Sequence, residues 1–319
     1  MLGVLLVSIA TAIVVASCAP APVRVGVPSG SVRTRPMMLR VQVRAGERLV
    51  VREVSLEDYV AATALSEVHP DVADTAVAER MYEVQAVIAR TFAVTNRGRH
   101  AKDGFDLCSS THCQLYEPAR LTTSRWTQAA QTAAQRTAGE VLWYADAAAR
   151  ALYHADCGGR TSTASAVWGG PGPIYLASAK DDGPAATAHV EWTFDTTLDG
   201  LRTALNSDPR TEVGAKLDTI EIAARDDAGR AEKIMLRGSR TFVVRGETFR
   251  DVVTRRLGAK TVKSTMFSVK KVRGGFAFIG RGFGHGVGLC QAGALARIRA
   301  GASPEDVLAH YFPGTTLHR

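Results

Sequence analysis

The chain has 319 residues, of which 46 % are hydrophobic and 22 % are charged, the composition of an ordinary globular protein with one large or two medium domains. Its formal net charge of +8 suits an anionic partner, although a basic surface without a specific partner explains it equally well. No run of Lys and Arg is interleaved with aromatic residues, so we expect no nucleic-acid partner.

The N-terminus has the pattern of an exported protein. Residues 2–17 are apolar and uncharged, too few for a comfortable membrane span and typical of a signal-peptide core. The sequence Val15-Ala16-Ser17-Cys18 resembles a bacterial lipobox, in which Cys18 is lipidated, and Ala19 favours the outer membrane. No Lys or Arg precedes the apolar run, and the alternative is an ordinary cleaved signal with a chance cysteine. We expect a lipoprotein signal peptide over 1–18, a proline-containing linker over 19–36, and an anchor at the periplasmic face of the outer membrane.

The first folded elements are predicted from local signals. Two short alternating strands flank Ala45-Gly46, and Ser55 with Asp58 three residues later predicts a helix that starts near Leu56 and stops at Pro70. A second helix is predicted before Gly98, with a core-facing stripe at helical spacing made of Val77, Met81, Val84, Ile88 and Phe92.

Later elements mix strands and helices without a regular alternation. We expect a helix over about 125–137, a hairpin over 140–159, short strands with helical pieces over 191–280, and two C-terminal helices over 291–300 and 303–310. This order predicts an α+β fold of mixed sheets with packed helices, and it speaks against a doubly wound sheet.

Glu67 is the first candidate for chemistry. It lies near the C-terminal end of its predicted helix, where the helix dipole disfavours a negative charge. Leu65 and Val68 beside it would raise its pKa further if the carboxyl group is buried. A raised pKa suits a general acid, whereas the alternative is a solvated glutamate at a helix end.

The second candidate is the segment GRGFGHGVGLCQAGA. Alternating glycines, including Gly284 and Gly286, would leave room beside the backbone for a bulky ligand, so that His285 and Gln291 could face one cleft. Histidine supplies a titratable nitrogen, and glutamine supplies an amide that both donates and accepts. The alternative is a glycine-rich strand edge followed by a helix.

Two further stretches hold histidine and cysteine. His100, Cys108, His112 and Cys113 have the chemical types of a tetrahedral zinc site, while a Cys108–Cys113 disulfide is an equal alternative in an exported protein. The adjacent ligands His112 and Cys113 would require a tight turn. In YHADCGGRT, His154 is a candidate cleft residue, or else an ordinary histidine at a strand end.

These stretches, in this order, resemble the stage II sporulation protein D / LytB family of bacterial cell-wall proteins. The matching sequences are SLEDYVAATALSEVHP, CSSTHCQLY, YHADCGGRT, GRGFGHGVGLCQAGALA and HYFPGTTL. The resemblance implies a cleft-forming catalytic core over 37–319, with a smaller α/β subdomain inserted at about 191–275. One departure is that Glu67-Val68-His69-Pro70 is one residue longer than the family's usual Glu-Met-Pro.

The resemblance also implies a reaction. It predicts a lytic transglycosylase that acts on peptidoglycan glycan strands stripped of peptides, with Glu67 as catalytic acid and with His285, Gln291, His154, Gly284 and Gly286 as substrate-binding residues. Family members that bind zinc favour a Zn²⁺ cofactor at His100, Cys108, His112 and Cys113. Cys157 and Cys290 would flank the cleft, where they could form a disulfide. Through its LytB branch the family also allows a non-catalytic lipoprotein that enhances a cell-wall amidase. A zinc amidase or peptidase is a weaker alternative, because the chain has no HExxH pair.

Overall fold

The computed structural model describes residues 36–181 and 189–319. The predicted signal peptide, the lipidated Cys18 and nearly all of the predicted linker lie outside these residues and stay predictions. Within the described residues, none of the helices combines the length and the apolar character that a membrane span requires. Pro36–Arg319 forms one compact unit.

The described residues form an α+β fold, as the sequence predicts. The helices are Leu56–Glu67 (α1), Thr75–Thr95 (α2), Arg120–Thr123 (α3), Thr127–Arg136 (α4), Ala164–Trp168 (α5), Leu198–Leu205 (α6), Gly246–Leu257 (α7), Gln291–Arg299 (α8) and Pro304–Tyr311 (α9), with a 3₁₀ turn at Ala101–Asp103. The strands are Met38–Ala45 (β1), Arg48–Ser55 (β2), Leu107–Cys108 (β3), Val141–Tyr144 (β4), Ala147–Ala148 (β5), Tyr153–His154 (β6), Glu191–Thr197 (β7), Leu217–Arg225 (β8), Ala231–Gly238 (β9), Thr241–Arg245 (β10), Phe267–Val272 (β11), Gly275–Arg281 (β12), Leu289–Cys290 (β13) and Thr316–His318 (β14).

These strands build several small sheets rather than one large one. Their orders are β2-β1-β3, β10-β9-β8, β11-β12-β7, β13-β6 and β14-β4-β5. The pairing of β1 with β2 and of β8 with β9 is antiparallel, as expected for hairpins, whereas β6 with β13 and β1 with β3 are parallel pairs.

Local capping explains where the helices begin. The Ser55 side chain accepts the backbone N–H of Asp58 at 3.2 Å, which starts α1 at the predicted residue. Ser303 and Asp306 form a complete capping box at α9, with Pro304 in its first turn. The predicted apolar stripe of α2 is buried along its length.

One predicted element is wrong. The hairpin expected over 140–159 ends at β5, after a turn in which Ala145 adopts a positive φ of 51°. The chain then leaves this sheet, because β6 pairs in parallel with the distant β13: Tyr153 lies opposite Leu289 and His154 opposite Cys290. This pairing brings the two histidine-containing motifs of the sequence together.

Three hydrophobic clusters make up the core. One contains residues of α2, α4, α8 and α9, a second lies between α1, α2 and the β1 sheet, and a third is built from residues between Trp192 and Phe278. The third cluster falls in the part of the chain where the subdomain at about 191–275 was expected. Pro36–Arg319 forms one compact unit, so this region is not divided from the rest of the fold. An inserted subdomain stays a prediction.

Candidate active site

Glu67 is the last residue of α1, and its carboxyl group is held by the loop that follows β3. The backbone N–H of Leu115 donates to Oε1 at 2.6 Å. Burial raises the pKa of Glu67, and hydrogen bonds from Leu115 and Tyr153 partly oppose this effect. The direction of the pKa shift is the one that the sequence predicts, although the dominant cause is burial.

Tyr153 completes this carboxyl site. Gln114 is fully buried and bridges two phenols: its Oε1 accepts from the Tyr59 hydroxyl at 3.1 Å, and its Nε2 donates to the Tyr153 hydroxyl at 3.3 Å. The Tyr153 side chain hydrogen-bonds with Glu67. Burial raises the pKa of Tyr153 well above its usual value, so the phenol stays a neutral donor.

Gln291 reaches the same place from the start of α8. Its Nε2 lies 3.3 Å from the backbone oxygen of Glu67 and 3.3 Å from Oε1 of Gln85 on α2. The structure therefore places Gln291 at the end of α1, and its expected contact with substrate stays a prediction. The amide nitrogen contacts the protein, so this residue holds the end of α1 in place.

His285 lies next to Tyr153 in a fixed orientation. Its Nδ1 accepts the backbone N–H of Val287 at 3.0 Å, which places the hydrogen of the neutral ring on Nε2. Burial lowers the pKa of His285 to about 3, with Arg250 and Arg230 adding electrostatic repulsion, and the ring also meets the Tyr153 backbone. The titratable nitrogen that the sequence offers is therefore neutral near pH 7, and the expected contact of His285 with substrate stays a prediction.

His154 lies deeper than expected. It is 5 % exposed, its Nδ1 donates to the backbone oxygen of Val287 at 3.2 Å, and its ring centroid is 5.5 Å from that of His285. The expectation of a cleft residue is wrong because alternation along β6 points Tyr153 toward Glu67 and His154 beneath the glycine-rich segment.

The space beside the glycines is occupied by other side chains of the protein. A Cβ added at Gly284 would lie 2.7 Å from Cβ of His154, and one added at Gly286 would lie 2.3 Å from Nε of Arg230. The free space that was expected at these two positions is therefore filled. Arg230 is fully buried and donates to the backbone oxygen of Cys157 at 2.7 Å. Sugar contact at Gly284 and Gly286 stays a prediction.

The four candidate zinc ligands converge in the loop between α2 and α3. Cys113 Sγ lies 3.4 Å from His100 Nε2 and 3.8 Å from His112 Nδ1, and Cys108 Sγ lies 3.7 Å from the same Nδ1. Ligand atoms around tetrahedral zinc lie roughly 3.3–3.8 Å apart, so this set fits the ion. The tight turn that adjacent ligands require is present, because the Cys113 N–H donates to the Ser110 oxygen at 2.9 Å.

The four cysteines that the structure describes are free thiols. The expected Cys157–Cys290 bridge is absent, since each sulfur has another role: the Cys157 thiol donates to Asp181 at 3.1 Å, and Cys290 Sγ accepts the Gly293 N–H at the start of α8. Cys290 Sγ also accepts the backbone N–H of Cys157 at 3.1 Å.

The chain is similar to several known proteins. A family model described as stage II sporulation protein matches residues 44–144, and a domain of unknown function (DUF8618) matches 174–288. Stage II sporulation protein D of Bacillus subtilis is 25 % identical over 280 residues, which is 84 % of this chain and 75 % of that protein. These matches support the stage II sporulation protein D / LytB family, which the sequence resembles.

Two other relatives match this chain over a similar number of residues. The amidase enhancer of Bacillus subtilis is 29 % identical over 278 residues, covering 74 % of this chain but 37 % of the enhancer. An uncharacterised protein of Brachyspira hyodysenteriae is 28 % identical over 271 residues, covering 84 % of this chain and 68 % of that protein. The stage II sporulation match includes Glu67 and the four candidate zinc ligands, whereas Gln291 lies beyond both matches.

The sequence analysis does not identify Tyr153 and Gln114 as site residues. Each is adjacent to a predicted site residue: Tyr153 to His154, and Gln114 to Cys113. Alternation along a short strand was the available signal for Tyr153, since one of two neighbours on a strand must face the other side. No local signal identified Gln114, because its partners Tyr59 and Tyr153 lie 55 and 39 residues away.

Proposed function

We propose that this protein is a lytic transglycosylase that cleaves peptidoglycan glycan strands and leaves 1,6-anhydromuramic ends. The observation that carries the proposal is Glu67: one carboxyl group with a raised pKa, gripped by Leu115 and Tyr153. Within the part of the chain that the structure describes, no hydrogen bond or ion pair joins it to a second carboxyl group. Glycosidases that hydrolyse usually need two such groups.

A single carboxyl group suffices when the substrate supplies the nucleophile. Glu67 protonates the glycosidic oxygen as the bond to the anomeric carbon breaks. The 6-hydroxyl of the same muramic acid then attacks that carbon, and the Glu67 carboxylate takes its proton. The group ends in its starting state, and no water enters the product. Tyr153 and the Leu115 N–H stabilise the carboxylate between the two steps, and Gln291 holds the helix end that carries it.

The proposed substrate is a strand whose stem peptides have been removed. Such strands expose the lactyl carboxylate of each muramic acid, and the net charge of +8 favours their approach.

The test is the Glu67→Gln variant, which keeps the shape of the side chain but cannot transfer a proton. General acid–base groups contribute roughly 10²–10⁴-fold in rate, and one group serves both steps here, so we expect a loss at the upper end. The assay is mass analysis of stripped glycan strands for 1,6-anhydromuramic ends. Glu117→Gln is a matched control, because this exposed carboxylate pairs with Arg120 at 2.7 Å. Wild-type rates in Glu67→Gln would refute the mechanism.

A second candidate function is supported by the relative named amidase enhancer. In that case the protein binds peptidoglycan and stimulates a cell-wall amidase without cutting glycan itself. The same assay separates the two: both Glu67→Gln and wild type would bind strands, neither would produce anhydro ends, and both would accelerate an added amidase.

We also propose that His100, Cys108, His112 and Cys113 hold one Zn²⁺. Four protein ligands fill a tetrahedral site, so the ion would cross-link this loop and leave no position for substrate. The loop continues from Cys113 directly into Gln114 and Leu115, the residues that contact Tyr153 and Glu67.

Finally, we propose that the mature protein works outside the cytoplasm, anchored by lipid on Cys18 at the outer membrane. A diacyl chain pair supplies a stable anchor. Cys18→Ser should release the protein from the membrane fraction, and an uncleaved variant that stays there would contradict the lipoprotein assignment.

A further inference from the structure

An exposed tryptophan stands at the edge of the candidate active site. Trp168 ends α5 and is 43 % exposed, and its ring centroid lies 5.2 Å from that of His285. His285 in turn meets the Tyr153 backbone, and the Tyr153 side chain hydrogen-bonds with Glu67. A continuous series of contacts therefore leads from the candidate acid to an indole that is 43 % exposed.

The position of this indole is fixed from both ends of its short helix. The Thr163 side chain accepts the Ala166 N–H at 3.2 Å and starts α5. At the other end, Arg245 Nη1 donates to the Ala166 oxygen at 3.3 Å. A Cβ at Gly169 would lie 2.3 Å from Arg245 Nη2, so the guanidinium packs directly against the residue that follows Trp168.

An exposed indole, with a guanidinium packed against the next residue of the chain, suits one kind of sugar. The apolar C–H face of a pyranose can stack on an indole, whose face carries negative charge density. A guanidinium matches the geometry of a carboxylate. N-acetylmuramic acid without its peptide presents both groups, since its lactyl ether ends in a free carboxylate; with the peptide attached, that carboxylate is an amide.

We propose that Trp168 and Arg245 form a subsite for one peptide-free N-acetylmuramic acid of the strand. The indole stacks on the sugar ring and the guanidinium pairs with the lactyl carboxylate. This inference rests on the proposed function, because it assigns the substrate class of the same site. It gives a physical reason for a preference for stripped strands over strands that carry peptides.

Binding, measured in the Glu67→Gln background to prevent turnover, tests the subsite. The probes are peptide-stripped glycan strands and a chitooligosaccharide, which has similar rings but no carboxylate. Trp168→Ala should weaken binding of both probes by about tenfold, the size of about 1.4 kcal/mol that the loss of one aromatic stacking contact can remove. Trp168→Phe should recover part of this loss. Arg245→Gln should weaken only the stripped strands and reduce the salt dependence of their binding.

Trp143 supplies a matched control. It also packs on a histidine, with its ring centroid 5.4 Å from that of His318, on the β14-β4-β5 sheet. Trp143→Ala should leave binding unchanged, and the thermal midpoint of each variant reports its folding. Wild-type affinity in both Trp168→Ala and Trp168→Phe would overturn the subsite. Equal loss of both probes in Arg245→Gln would overturn the carboxylate contact. If the Glu67→Gln protein binds neither probe, the proposed function itself fails.

Discussion

Arg230 and Gly286 show how a single glycine can be required by a neighbouring side chain. Gly286 has a φ of +83°, in the region where a Cβ is strained, and the Arg230 guanidinium fills the space beside it. Arg230 is a fully buried cation, and its Nε has no partner within the described residues. Moving it would cost further contacts, because it donates to the Cys157 oxygen.

We predict that Gly286→Ala lowers the free energy of unfolding by more than backbone strain alone would. Strain at positive φ costs roughly 1–2 kcal/mol, and overpacking adds about 1–3 kcal/mol. Gly274 is the matched control, since its φ is +84° and nothing lies within 4 Å of its added Cβ. Urea unfolding of both variants measures the difference. Equal free energies of unfolding in Gly286→Ala and Gly274→Ala would show that the Arg230 side chain moves aside without loss of stability.

Residue types predicted the identity of candidate groups better than their roles. Glu67 lies where a helix end and apolar neighbours suggested, because both signals are local. His285 is a titratable residue type, but its pKa depends on burial and on Arg250 and Arg230. Those arginines come from α7 and from the turn between β8 and β9, and no feature of the local sequence indicates that they approach the histidine.

At the scale of elements, local signals predicted the helices well and the distant pairing poorly. The caps of α1 and α9 and the stripe of α2 are encoded within a few residues. The pairing of β6 with β13 joins residues that are far apart, as the bond between His154 and Val287 spans 133 residues. Each of these strands has only two residues, too few for a hydrophobic pattern that would indicate its partner strand.

The loop that carries the candidate zinc ligands should depend on a bound ion for its stability. We expect about one zinc per chain in protein purified without chelator, and a lower thermal midpoint after zinc is removed, because the ion would cross-link four points of the loop. Cys108→Ser should abolish zinc binding. Cys290→Ser is the control, since its side chain caps α8 and serine can take that role. Intact mass after alkylation is the opposing measurement: a Cys108–Cys113 bridge without metal would rule out the zinc site.

At the scale of the whole molecule, the buried His154 and the half-buried His285 link the stability of the fold to pH. Burial lowers the pKa of His285 to about 3, and burial lowers the pKa of His154 well below its usual value, with His285 and Arg230 adding repulsion. In the unfolded chain both rings titrate near pH 6.5. Below that pH the unfolded chain therefore binds more protons than the fold does. The stabilisation from the neutral rings is complete above about pH 6.5 and declines as the pH falls below that value, for His285 until about pH 3.

We predict that His154→Asn makes the fold less sensitive to acid. The asparagine amide can donate to the Val287 oxygen in place of Nδ1, but it binds no proton. Between pH values of about 6 and 4.5, the free energy of unfolding should therefore fall less steeply than in wild type, by about 1.4 kcal/mol per pH unit. Urea unfolding at several pH values measures this slope, and His318→Gln, at the exposed end of β14, should leave it unchanged. An identical slope with and without His154 would mean that this ring accepts a proton inside the fold, and that the acid sensitivity arises from other groups.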